Sequence, residues 1–147
     1  MSATVMVGPD VISHDFRTAM HGKMPEDDIN NIVASLTALA GATAYPAEGS
    51  IASLLFYMKV QVTVKDSKTF NGNAGTIGSP GGGALWGHLY TDDINLVYRD
   101  TQSFELNATP VYTSIIFFNG KSQVLGSFQA GALSTVLGIG GGTGSWT

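Results

Sequence analysis

The chain has 147 residues, of which 44% are hydrophobic and 12% charged, with a net charge of −4 and no cysteine. That length is one domain's worth and buries about two thirds of the surface its unfolded chain exposes. Seven scattered Lys and Arg leave no footprint for nucleic acid or anionic lipid, and without thiols neither disulfides nor a metal centre built from three scattered His is expected.

Residues 1–24 mix single apolar residues with Gly, Pro, Asp and two His, with no period of 2 or 3.6, which predicts a flexible N-terminal arm. The start, MSATVMVGPDVISHDF, lacks a basic region followed by an apolar run, so a signal peptide is expected to be absent from this chain. No apolar run reaches about 18 residues, so no transmembrane segment is expected either. His14 and His21 fall in the arm without further ligands at metal-binding spacing, and both read as solvated side chains.

From Pro25 the period becomes helical. Pro25 suits a first turn, Glu26, Asp27 and Asp28 complement the positive end of the helix dipole, and Ile29, Ile32, Val33, Leu36 and Leu39 form one stripe. The spacing predicts a helix over 25–39, laid on one end or side of a β domain that makes residues 25–147 a single barrel domain. Its polar face carries carboxylates, Asn, Ser and Thr, unlike a membrane-surface helix, which carries Lys and Arg.

Strands follow. The first set is predicted at 42–47, 51–65, 69–77 and 84–90, with breaks at Glu48-Gly49, Asp66-Ser67-Lys68 and Gly78-Ser79-Pro80-Gly81. Met58, Val60, Val62 and Val64 alternate with polar residues, while Leu54 to Tyr57 is apolar on both faces and is expected to lie under a helix. Thr91 is the expected N-cap of a short helix carrying Ile94, Val97 and Tyr98 on one face, ended by Asp100-Thr101. The second set is predicted at 102–108, 111–118, 123–130 and 135–146, with turns at Thr109-Pro110, Asn119-Gly120-Lys121 and Gly131-Ala132.

The two sets echo one another. Asp27-Asp28-Ile29-Asn30 recurs as Asp92-Asp93-Ile94-Asn95, Asn73-Ala74-Gly75 matches Gln129-Ala130-Gly131, and Gly-Gly-Gly stands at 81–83 and again at 140–142. Two readings stand, chance matches of short segments or a duplication, and the duplication predicts a pseudo-twofold pair of four-stranded motifs. Fifteen of the nineteen glycines lie after residue 70, many inside predicted strands, where they permit tight coiling and closure. Closure removes the exposed edges of a weakly charged β protein, so the predicted fold is mainly β, a closed eight-stranded antiparallel barrel. Its interior would hold side chains or one small ligand, and the abundant Leu, Ile, Val and Phe favour side chains.

Chemical motifs are sparse. Gly138 to Gly144, GIGGGTG, lacks the helix that a phosphate loop needs and reads as strand glycine, and Gly81-Gly82-Gly83 lacks the Lys-Ser/Thr of a P-loop. His88 shares a strand face with Trp86 and Tyr90, but no nucleophile or orienting carboxylate attaches to it. The eight Asp and three Glu fall mostly in the arm and at helix starts, where capping explains them. Asn107-Ala108-Thr109 fits a glycosylation pattern that the following Pro110 makes uninformative. No catalytic, cofactor-binding or metal-binding residue is assigned, and ligand-binding residues are left open.

WGHLYTDDINLVYRDTQSFELNA, Ile115-Ile116-Phe117-Phe118 and SFQAGALSTVLGIGGGTGSW together resemble the virulence-associated protein (Vap) family of an actinobacterial intracellular pathogen. The resemblance covers about Gly49 to Trp146 and leaves out the arm and first helix. It implies an eight-stranded barrel of two Greek-key motifs, secreted or cell-surface associated and linked to survival in host macrophages. No catalytic residues or cofactors come with it. The implied role is non-enzymatic binding, as a monomer, to an unknown host or bacterial envelope component, with peripheral membrane contact left open. The alternative is a carrier of a small apolar ligand or lipid, of lipocalin or streptavidin type.

Overall fold

The computed structural model describes residues 9–39, 41–54, 56–75, 80–134, 136 and 138–147. Two helices, α1 (Pro9–Met20) and α2 (Glu26–Leu39), precede the strands β1 (Thr43–Ser53), β2 (Tyr57–Val64), β3 (Thr69–Gly75) and β4 (Gly81–Thr91). Helix α3 (Ile94–Asp100) leads into β5 (Ser103–Ala108), β6 (Thr113–Phe118), β7 (Val124–Ser134) and β8 (Gly138–Trp146). The strands close into a barrel in the order β1-β2-β3-β8-β5-β6-β7-β4, and every neighbouring pair is antiparallel. Each set has its fourth strand beside its first, β4-β1-β2-β3 and β8-β5-β6-β7, which is Greek-key order.

Two groups of buried side chains hold the fold. Inward-facing Met58, Val60, Val62 and Val64 of β2, Leu85 and Leu89 of β4, and Phe104 and Leu106 of β5 belong to the barrel core. One end of that core is aromatic. The Phe70 ring lies 4.9 Å from Phe117, 5.5 Å from Phe104 and 5.5 Å from Trp146, and Tyr98 of α3 stacks on Trp146 at 5.1 Å. Such ring pairs add about 0.5–1.5 kcal/mol each beyond their buried area. Gly72 and Gly144 leave room for them, since a Cβ at either would stand within 2.6 Å of the Phe70 ring.

The second group lies outside the barrel. Ile12 and Phe16 of α1 join Ile29, Ile32 and Leu36 of α2 against Tyr112, Ile116 and Phe118 on the outer wall of β6. This explains why every residue of β6 is buried: its two faces meet two different apolar layers. The Tyr112 hydroxyl donates to the Asp15 carboxylate, and Arg17 donates to Asn30 at 2.7 Å, tying α1 to the wall and to α2.

Several sequence expectations need correction. No helix was expected before Pro25, yet α1 forms because Ile12, Phe16 and Met20, spaced by four, acquire a partner surface in α2 and β6. Gly49 does not end the first strand. It lies inside β1, opposite Val62, and a Cβ there would stand 2.2 Å from the Gln61 carbonyl, so glycine serves close backbone approach. Ile51 to Ser53 therefore belong to β1, and Phe56, expected under a helix, is 83% exposed at the turn before β2. Gly81–Gly83 open β4 and Gly131-Ala132 continue β7, again glycine within strands. The predicted break at 78–79 and the start of the last strand at Thr135 lie outside the described residues.

The pivot between the two sets is capped one step later than expected. Asp93, not Thr91, is the N-cap of α3, accepting from the Asn95 and Leu96 amides at 3.1 and 3.2 Å. Thr91 instead ends β4, its hydroxyl donating to the Leu125 carbonyl at 2.8 Å and accepting from the Asp93 amide at 3.1 Å. Asp93→Ala is expected to cost about 1 kcal/mol by orphaning both amides, lowering the melting temperature by about 2–4 °C in thermal denaturation.

Candidate functional site

Strand β5 reads Ser103-Phe-Glu-Leu-Asn, so the alternation that turns Phe104 and Leu106 into the barrel turns Ser103 and Glu105 outward. Glu105 pairs with Ile116 of β6 on one side and Gly141 of β8 on the other. Ile116 is roofed by the α1–α2 hairpin, whereas Gly141 offers no side chain, so a recess opens beside the carboxyl. Met20 at the end of α1, Met24 of the connection between the helices and Ile32 of α2 overhang it, Phe118 closes its side, and Gly140–Gly142 form its floor. The resulting cleft holds about 420 Å³ and exposes mainly apolar surface, a size within the range of small-molecule pockets.

Glu105 is 8% exposed, and among the described residues nothing donates a hydrogen bond to it. Burial pushes its carboxyl up to about 8, and the charge of Lys23 at the cleft rim pulls only partly the other way. The group is therefore mostly protonated at neutral pH. Among the described residues Lys23 is the one other ionisable side chain that lines the cleft, and no His lies there. The arrangement offers one neutral carboxyl in an apolar recess, suited to recognising a polar head on an apolar body, with no nucleophile and base paired for group transfer.

The residues weighed from sequence lie elsewhere. His14 is exposed on α1, and His21 is exposed beyond its end, 3.3 Å from Glu26. His88 sits on the outer wall of β4, half-buried, its ring 6.2 Å from Tyr90 and its Nδ1 buried without a hydrogen bond. It lines a separate groove with Trp86, Glu48, Pro46 and Thr63. The structure does not bring the three histidines together, and among the described residues no group of three His, Cys, Asp or Glu is placed to hold a metal. The GIGGGTG segment forms β8, the strand reading made from sequence. Glu105 was missed. Its signal was present, however: a charge between Phe104 and Leu106, followed by a strand apolar on both faces, marks an outer wall that something covers.

Two Greek keys closed around a filled interior, with a helical hairpin laid on one outer wall, define a small barrel whose recessed ionisable group is outside the barrel. The chain belongs to the Rhodococcus equi virulence-associated protein family, whose model matches residues 4–147. That match takes in the hairpin, which the resemblance read from sequence had left outside. Among solved structures the chain is similar to the virulence-associated protein VapD of the intracellular pathogen Rhodococcus equi, with 44% identity and a TM-score of 0.69 over 71% of this chain and 97% of that one. Similarity to VapB of the same organism is comparable, with 43% identity and a TM-score of 0.68 over 71% of this chain and 96% of that one. No curated protein sequence matches significantly. Among the described residues no helix is long and apolar enough to cross a membrane.

Proposed function

We propose that the protein is a secreted or cell-surface virulence factor that promotes bacterial survival inside host macrophages, acting by binding through its outer wall and without catalysis. The family membership supports the first part. The observation that supports the second is the interior, where the Phe70 ring meets Phe104, Phe117 and Trp146, and Phe117 meets Trp146, at 4.9–5.5 Å, filling one end of the space in which a lipocalin-type carrier would hold its ligand. A filled interior supports recognition on the outer surface rather than inside the barrel. The weak charge and the apolar recess there suit a host or envelope component other than nucleic acid, engaged by a monomer.

The test follows the protein during infection. Immunodetection is expected to find it outside the bacterial cytosol, in culture filtrate or on the cell surface, and a strain lacking it is expected to multiply less in macrophages. Confinement to the cytosol, or undiminished growth of the deletion strain, would overturn the reading.

A further inference from the structure

We propose that the cleft between the α1–α2 connection and the outer wall of β5 and β8 binds a small apolar molecule bearing a cationic amine, with its ammonium on the Glu105 carboxylate and its apolar body along Met20, Met24 and Phe118. This rests on reading the outer wall as the binding face and names what one part of that wall takes. Three observations meet here. Glu105, only 8% exposed as a residue, turns its carboxyl into the recess with no hydrogen-bond donor from the described residues. The recess has about 420 Å³ of space, enough for an alkyl or aryl amine. Its walls include two methionines, unbranched and polarizable side chains that adapt to apolar ligands of differing shape.

Charge complementarity selects the head group. Among the described residues Glu105 is the sole acidic group lining the recess, and an ammonium supplies the donors that they do not. The one other charged group facing it among the described residues, Lys23 from the helix connection, is exposed at the rim, and its charge offsets the effect of burial on the carboxyl only in part. The remaining lining, Ser103, Ser122, Ile32 and the glycines of β8, carries no charge.

Proton balance makes the claim specific. Because burial holds the free carboxyl protonated up to about pH 8, binding of RNH₃⁺ transfers the Glu105 proton to solvent and leaves an ammonium–carboxylate pair. Affinity must then rise by roughly tenfold per pH unit below that value, since the amine stays protonated throughout. A carboxylate ligand would behave in the opposite sense, favouring the protonated acid and weakening as pH rises.

The full-length protein is titrated calorimetrically with octylammonium, octanoate and octanol at pH 6.0, 7.0 and 7.5, in buffers of differing ionisation enthalpy. Octylammonium is expected to bind more tightly than the other two, to release close to one proton at pH 6.0, and to tighten with pH. Glu105→Gln is expected to lose at least tenfold in affinity together with the pH dependence. Methyl NMR should show the Met20 and Met24 signals moving while that of Met58, inside the barrel, stays still. Absence of octylammonium binding, octylammonium affinity independent of pH or unchanged by Glu105→Gln, or tighter binding of octanoate, overturns the inference but leaves outer-wall recognition standing. Displacement of the Met58 signal places the ligand in the barrel and overturns both.

Discussion

Gly87→Ala and Gly142→Ala are each expected to destabilise the barrel by about 3 kcal/mol or more, lowering the melting temperature by about 10 °C or more. Both positions face a neighbouring backbone at a distance no Cβ tolerates. At Gly87 on β4 the added carbon would stand 1.9 Å from the Gln129 carbonyl oxygen and 2.7 Å from the Ala130 Cα of β7. At Gly142 on β8 it would stand 1.9 Å from the Asn73 oxygen and 2.8 Å from the Ala74 Cα of β3. These obstacles are main chain, so relief requires two paired strands to part, with loss of ladder hydrogen bonds. The two sites are also the same site twice. β4 meets β7 as β8 meets β3, each a fourth strand against the third strand of the other Greek key, and the contacted residues are the Gln129-Ala130 and Asn73-Ala74 of the sequence echo. The two substitutions should therefore cost similar amounts. Gly75→Ala is the control: a Cβ there meets nothing within 4 Å, and the variant should melt within about 2 °C of the parent. Chemical denaturation of all three decides the matter; a silent Gly87→Ala, or a severe effect at only one of the pair, would refute the close approach or its duplication.

This also explains what the sequence concealed. Element types were legible wherever a period survived: the stripe of Ile29, Ile32 and Leu36 gave α2, and Met58 to Val64 gave β2 with its buried face. Boundaries went astray where glycine was taken as punctuation. Gly49, read as a break, stands mid-strand because coiled strands approach too closely there for a side chain, as they do at Gly87 and Gly142, which the sequence reading had kept inside strands. Helix α1 was illegible for another reason. Ile12 and Phe16 form a narrow stripe diluted by His14, Asp15 and Arg17, and the helix is stabilised by docking on α2 and β6, a surface that exists only once the barrel closes. The site inherits that obscurity. Glu105 is an ordinary strand carboxylate until the hairpin covers it, so its position between two inward residues could be read from sequence and its burial could not.

Glu105→Gln is expected to stabilise the protein above neutral pH and to remove a pH dependence that the parent shows. The carboxyl is raised from an ordinary 4.5 to about 8 in the folded protein, with burial as the main cause and Lys23 opposing it. A group raised in this way binds more protons folded than unfolded between those two values, so stability falls as pH climbs. Its full contribution is present below about pH 4.5, diminishes through the neutral range, and is lost above about pH 8. At about 1.4 kcal/mol per pKa unit the whole swing is on the order of 5 kcal/mol. It is capped by the free energy with which the hairpin is docked, because lifting α1 and α2 returns the carboxylate to water without unfolding the barrel. The Gln side chain keeps the size of the protonated acid and cannot ionise, so at pH 4 the two proteins should be nearly equal in stability. At pH 9 the variant should be more stable by about 2–4 kcal/mol, or about 4–16 °C in melting temperature. The measured quantity is the difference between variant and parent across pH 4 to 9, in which the other titrating groups cancel. A difference that stays flat would mean that Glu105 is hydrated in solution, and that the hairpin does not seal the wall of β5 as the structure has it.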